Sequence, residues 1–117
     1  MKGMVALFCC GLLTVTVSCG LNEVRDRRAT LETLLATNAP SRAVESVIGK
    51  LNLYKPGSAE WNDLRSHYAA HPTPWFQQLV RKIDKSAAFG WTSTMTMQTW
   101  VFLDDQNRLI DFDVTAQ

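Results

Sequence analysis

Met95-Thr96-Met97-Gln98-Thr99-Trp100-Val101-Phe102-Leu103, then Asp104-Asp105-Gln106-Asn107, then Arg108-Leu109-Ile110-Asp111-Phe112-Asp113-Val114-Thr115, is the stretch on which the fold turns. In its first arm Met95, Met97, Thr99, Val101 and Leu103 alternate with Thr96, Gln98, Trp100 and Phe102, the period-two pattern of a strand. Large apolar groups fall on both faces, so the strand is expected to be covered on both sides for part of its length. The four polar residues make a turn. In the returning arm Ile110, Phe112 and Val114 share one face, with Asp111 and Asp113 on the other, which completes a β-hairpin. Two strands alone seldom persist in water. A third is expected at Ala87 to Trp91.

Upstream the period changes to that of helices. Val24, Leu31, Leu34 and Leu35 recur at spacings near three, four and seven, which predicts a helix over Asn22 to Thr37 after a short tether, Gly20 to Asn22. It ends at Asn38-Ala39-Pro40. Ser41 is placed to cap a second helix with Val44, Val47 and Ile48 on one face and Gly49 at its end. Lys55-Pro56-Gly57 is a turn, and Ser58 caps a third helix, Ala59 to Ala70, bearing Trp61, Leu64 and Tyr68. Thr73 and Pro74 open a fourth, with Trp75, Phe76, Leu79, Val80 and Ile83 as a wide apolar face to about Lys85. The expected class is α+β: N-terminal helices packed on a small antiparallel sheet that ends in a C-terminal β-hairpin.

All three cysteines fall in the first nineteen residues of a 117-residue chain. Met1-Lys2-Gly3 carries one positive charge, and Met4 to Val17 holds none. That apolar run is shorter than the ~20 residues that span a bilayer as a helix, so it reads as a cleaved export signal. Thr16-Val17-Ser18-Cys19-Gly20 resembles the lipobox of bacterial lipoproteins, although Thr16 stands where Leu is usual. The resemblance implies cleavage before Cys19, a diacylglycerol thioether on its sulfur, and a further palmitate-type chain on the new amine. Cys9 and Cys10 leave with the leader. Gly20 rather than Asp after the cysteine resembles the outer-membrane sorting pattern, which implies an outer-membrane protein facing the periplasm. The expected organisation is signal peptide 1–18, lipidated Cys19 with tether and first helix 19–38, and an α+β domain 39–117 with a helical insertion at 51–90.

Without Lys2 the chain has 11 basic and 11 acidic residues. A neutral domain makes no electrostatic case for nucleic acid. Arg25, Arg27 and Arg28, offset by Glu23 and Asp26, read as a solvated helix face.

Two further segments, Ser41 to Lys50 (SRAVESVIGK) and Trp100 to Ile110 (WVFLDDQNRLI), resemble the small outer-membrane lipoprotein family that includes small protein A and BamE. That family implies two helices on a three-stranded antiparallel sheet, no catalysis, and an accessory role in envelope assembly. Here Ala39-Pro40 replaces the usual Gly before the capping residue, and residues 51 to 90 exceed what the family needs.

Candidate chemistry is sparse. Asp63, His67 and His71 stack at helical spacing, a geometry with which two imidazoles can grip zinc, but spacing indicates no further ligand, and His71 precedes Pro72. Asp104, Asp105, Asp111 and Asp113 are dense enough for acid/base work, yet turn chemistry and one strand face account for them. No Gly-x-Ser-x-Gly or phosphate-cradling glycine loop is present. The aromatic content exceeds what one small core holds easily, so Trp61, Trp75, Phe76 or Trp91 is a candidate partner anchor. The expectation is a lipid-anchored, non-catalytic module that needs no cofactor and binds membrane lipid through Cys19 and another envelope protein through its domain. The alternatives are a zinc-binding, small-ligand-binding or peptidoglycan-associated lipoprotein, or an inhibitory one.

Overall fold

The computed structural model describes residues 13–70 and 73–116, with side chains placed from Asn22 onward. The elements are α1 (Leu13–Ala36), α2 (Ser41–Ile48), β1 (Asn52–Tyr54), α3 (Ala59–Ala69), α4 (Pro74–Lys85), β2 (Ala88–Ser93), β3 (Met97–Leu103) and β4 (Leu109–Ala116). The strands form one antiparallel sheet in the order β1-β2-β3-β4. The class is α+β. Among the described residues no helix, α1 included, is long and apolar enough to cross a membrane.

β3 divides the interior into two cores. On one face Met97, Val101 and Leu103 meet Val24 and Leu31 of α1 and Val44 and Ile48 of α2. On the other, Trp100 and Phe102 meet Trp61 of α3 and Phe76, Leu79 and Ile83 of α4. Val101, Phe102, Leu103 and Thr99 are all fully buried. The expected third strand is β2, which pairs along β3 from Ala88↔Leu103 to Ser93↔Gln98.

The local signals for α3 and α4 hold. The Ser58 hydroxyl accepts the Trp61 amide at 3.2 Å and the Thr73 hydroxyl accepts the Phe76 amide at 3.1 Å, each satisfying an N-terminal donor. Gly49 closes α2 at φ +101°, a conformation glycine adopts without a Cβ penalty.

Five expectations are corrected. Gly20 to Asn22 is not a tether ahead of the first helix: α1 begins at Leu13 and runs through it. Ser41 is the first residue of α2 and not its cap; Pro40 holds that position without a side-chain bond. The start of α2 is pinned instead by tertiary bonds, Ser41 N to Asn107 O at 2.8 Å and Leu109 N to Ala39 O at 2.8 Å. The 51–90 segment is not purely helical, because it opens with β1, which pairs with β2 through Leu53↔Gly90. Ile110 does not share a face with Phe112 and Val114. The ladder shifts between Phe102 and Leu103, leaving Ile110 as the extra residue of a β-bulge, and Leu109 takes the inward place.

The arginine cluster is the fifth. Arg25 is exposed, but Arg27 reaches across to the fully buried Thr99, Nη1 to Oγ1 at 3.0 Å, and Arg28 Nη2 donates to Val114 O at 2.8 Å. Burial holds the Arg27 guanidinium below its ordinary pKa, and Glu23 raises it in part. A guanidinium on a three-carbon stem can pass the helix surface and reach a sheet beneath it.

Arg27→Ala is therefore expected to cost about 1–2 kcal/mol, because it deprives a buried hydroxyl of a charged partner. Arg25→Ala is expected to change stability by less than ~0.5 kcal/mol. Urea unfolding midpoints of the two variants check the contrast.

Candidate binding groove

The second core is built mainly of rings, with Leu79 and Ile83 of α4 among them. Phe89 and Trp91, two apart on β2, face the same side as Trp100 and Phe102 on β3, and the register sets Phe89 opposite Phe102 and Trp91 opposite Trp100. Phe89 stacks on Trp100 at 6.1 Å between centroids, and Trp91 lies 6.1 Å from the same indole. Trp61 meets Phe89 edge-on at 5.7 Å and Trp75 meets Trp100 edge-on at 6.3 Å, with Tyr68 stacked on Phe76 at 5.1 Å. Offset and edge-to-face pairs of this kind add about 0.5–1.5 kcal/mol each beyond buried area.

Where this ring cluster reaches the surface it leaves a groove of about 320 Å³, lined by Tyr54 of β1, Phe89 and Trp91 of β2, and Glu60, Asp63 and Leu64 of α3. Phe89 is the buried floor. Tyr54, Leu64 and Trp91 are half-buried walls, and Glu60 and Asp63 are exposed on the α3 rim. The floor is rigid because Phe89 touches Tyr54, Trp61 and Trp100 at once.

The groove borders β1, an edge strand. β1 lies close because residue 90 is glycine: a Cβ there would come within 2.6 Å of Leu53 Cδ2, 3.2 Å of Asn52 O and 3.3 Å of Leu51 Cβ. The exposed Leu53 tip can move, whereas the Asn52 carbonyl is backbone.

Of the four aromatic residues singled out as candidate anchors, Trp61 and Phe76 are core residues, 3% and 6% exposed, and offer no free surface. Their apolar faces are spent on covering β2 and β3. Trp75 is half-buried and tied down, its Nε1 donating to Asp113 Oδ2 at 2.6 Å. Trp91 is the one of the four that lines the groove. Tyr54, Leu64, Glu60 and Asp63 complete it; of these the sequence singles out only Asp63, beside His67 and His71 as a metal candidate. The β1 strand that brings Tyr54 there leaves only a three-residue trace in sequence.

The acidic cluster does not converge. Asp104 Oδ1 accepts the amides of Gln106 and Arg108 at 2.8 and 3.0 Å, shaping the β3–β4 turn. Asp111 lies 3.6 Å from Lys82, and Asp113 holds Trp75. His67 is exposed and edge-on to Tyr68 at 5.1 Å, while His71 lies outside the described residues. Among the described residues no three His, Cys, Asp or Glu side chains gather in a way that could hold a metal ion. Cys19 falls on the first turns of α1, and its side chain lies outside the described set.

Gly90→Val is expected to push β1 off β2 and cost on the order of 1–3 kcal/mol by overpacking. Thermal unfolding reads the loss, and faster hydrogen exchange at the Asn52 and Tyr54 amides, which face β2, locates it at β1.

No family model, no curated protein and no solved structure matches this chain.

Proposed function

We propose that this chain is a bacterial envelope lipoprotein, anchored through acyl chains on Cys19, which acts without catalysis by holding a segment of another envelope protein in the groove of Tyr54, Leu64 and Trp91. The observation that carries the reading is Cys19 itself. It is the last cysteine of the chain and closes an uncharged apolar run behind a single lysine. A thiol can be alkylated while leaving its amine free for further acylation, and each buried methylene adds about 0.8 kcal/mol, so two or more chains hold a small domain at a bilayer without a spanning helix.

The element order supports kinship with the small protein A and BamE family. With β1, α3 and α4 set aside, what remains is two helices followed by a three-stranded antiparallel meander, the arrangement that resemblance implies. The inserted elements form the second core and the groove, so a family-like frame would here carry an added binding face. The carboxylates favour binding over catalysis, since Asp104, Asp111 and Asp113 are engaged in shaping a turn, pairing with Lys82 and holding an indole.

The groove's chemistry describes its occupant. Apolar walls under an acidic rim suit an extended segment that presents an aliphatic or aromatic side chain next to a lysine or arginine. The neighbouring edge strand offers backbone groups for such a segment to pair with.

Cys19→Ala is expected to move the protein from the membrane to the soluble fraction; normal fractionation of that variant would contradict the anchor. With the native chain, chemical crosslinking followed by purification in detergent is expected to recover one stoichiometric envelope protein. Reversing the rim with Glu60→Lys and Asp63→Lys together should lower that recovery at least tenfold, which corresponds to about 1.4 kcal/mol. Recovery that ignores the reversal removes the groove from the proposal.

A further inference from the structure

Met95 is 96% exposed, far above the next large apolar side chain among the described residues, Val47 at 54%. It stands at the tip of the β2–β3 hairpin, and that tip is held in shape. Thr94 N donates to Met97 O at 2.8 Å, while the Thr94 hydroxyl accepts the amides of Thr96 and Met97 at 3.3 and 3.2 Å. A threonine bonding its neighbours' backbone in this way fixes a tight turn, and the turn leaves the thioether outside.

The tip lies at the same end of the molecule as the start of α1. Arg27 bonds Thr99, Arg28 bonds Val114 and Asn38 bonds Leu109, so α1 proceeds toward the β3–β4 turn as its numbering rises. Its opposite end is therefore level with Met97 and Ala116, which pair with each other, and Val24 shares a buried cluster with Met97. From Val24 back to Cys19 the helix rises about 7.5 Å at 1.5 Å per residue. Thr94 is bonded opposite Met97 at the end of the ladder, so Met95 and Thr96 cap the hairpin just beyond it. Cys19 and Met95 thus lie beyond the same end of the sheet.

The surroundings of the tip are uncharged: Ser93, Thr94, Thr96, Gln98 and Thr115. Charges at this end of the molecule are of mixed sign: Glu23, Arg25 and Asp26 on the adjoining turns of α1, and Lys50 just ahead of β1. The far end is of another kind, with Asp104 and Asp105 beside Lys55.

We propose that the β2–β3 tip, led by Met95, rests on the same bilayer surface that holds Cys19, so that the domain meets lipid at two places. This rests on the proposed acylation of Cys19. Acyl chains on one residue leave a body free to swivel. A second, apolar contact at the same end fixes which end faces the membrane and turns the charged β3–β4 end toward water. The groove lies on the sheet face opposite α1.

The test uses the full chain, expressed with its leader in a bacterial host, as two separate variants, Met95→Cys and Asp105→Cys. With the leader removed and the Cys19 sulfur alkylated, each introduced cysteine is the free thiol, and it is labelled with bimane. The proteins are reconstituted in vesicles of phosphatidylethanolamine and phosphatidylglycerol that carry a doxyl-labelled lipid. Quenching severalfold stronger at position 95 than at 105 is the expected result. Equal quenching at both positions overturns the proposal, and so does a blue-shifted emission at 95 without quenching, which would set Met95 against protein. Vesicle flotation reads the tether independently: protein that fails to float removes the anchor, and this contact with it, whereas protein that floats unquenched removes only the contact.

Discussion

The structure depends on β3 being buried on both faces. A strand with Met97, Val101 and Leu103 on one side and Trp100 and Phe102 on the other cannot be covered by one layer of helices. Fully burying each large side chain contributes about 1.5–3 kcal/mol, so leaving either face wet would forfeit several such terms in a small domain whose whole stability is of order 10 kcal/mol. Two helix pairs follow from this, α1 with α2 and α3 with α4. Thr99 is the polar exception, and its place in the middle of an apolar face is tenable because Arg27 reaches it. The charge on α1 is thereby drawn into the packing.

The sheet's two edges are treated differently. Along β4, Leu109 bonds the 38–40 linker through both its N–H and its C=O, Lys82 donates to Phe112 O at 3.0 Å, and Arg28 donates to Val114 O. One cation comes from each helical layer. Basic side chains over an edge discourage pairing with a stray strand. β1 is defended only by its shortness, and Asn52 and Leu53 are exposed on it. The approachable edge and the aromatic groove are adjacent, on one border of the molecule.

Much of this was legible in the chain. The hairpin, the third strand and the hydroxyl caps of α3 and α4 follow from period and local bonding, because those signals are contained within a few residues. What escaped reading is set by contacts far along the chain. Leu109 and Ile110 are both apolar, so alternation alone permits either to face inward; the bonds from Leu109 to Ala39 and Asn38 decide it and push Ile110 into the bulge. β1 is three residues that become a strand because Gly90 lets them approach. Arg27 looked like one of a solvated trio, and only the position of Thr99 beneath it separates it from Arg25. Trp61 and Phe76 looked surplus to a single core, and the surplus is the second core. Of the groove, Trp91 was visible in advance, but Tyr54, Leu64 and the acidic rim were not, since three elements distant in sequence must meet before a groove exists.

Trp100 shows what the second core favours. Its Nε1 is buried and has no hydrogen-bond partner among the described residues, whereas Trp75 gives its own to Asp113. An unpaired buried donor costs about 1–3 kcal/mol. The indole is kept there in contact with Phe89, Trp75 and Trp91, and those contacts, with the area it buries, offset that cost. A smaller ring would release the donor problem but leave space beneath Trp91. The unpaired indole therefore belongs to the packing of the groove's floor: Phe89 and Trp100 are buried against each other, whereas Tyr54, Leu64 and Trp91 stay half-buried. A floor packed in that way would lose little conformational entropy in the binding proposed for the groove.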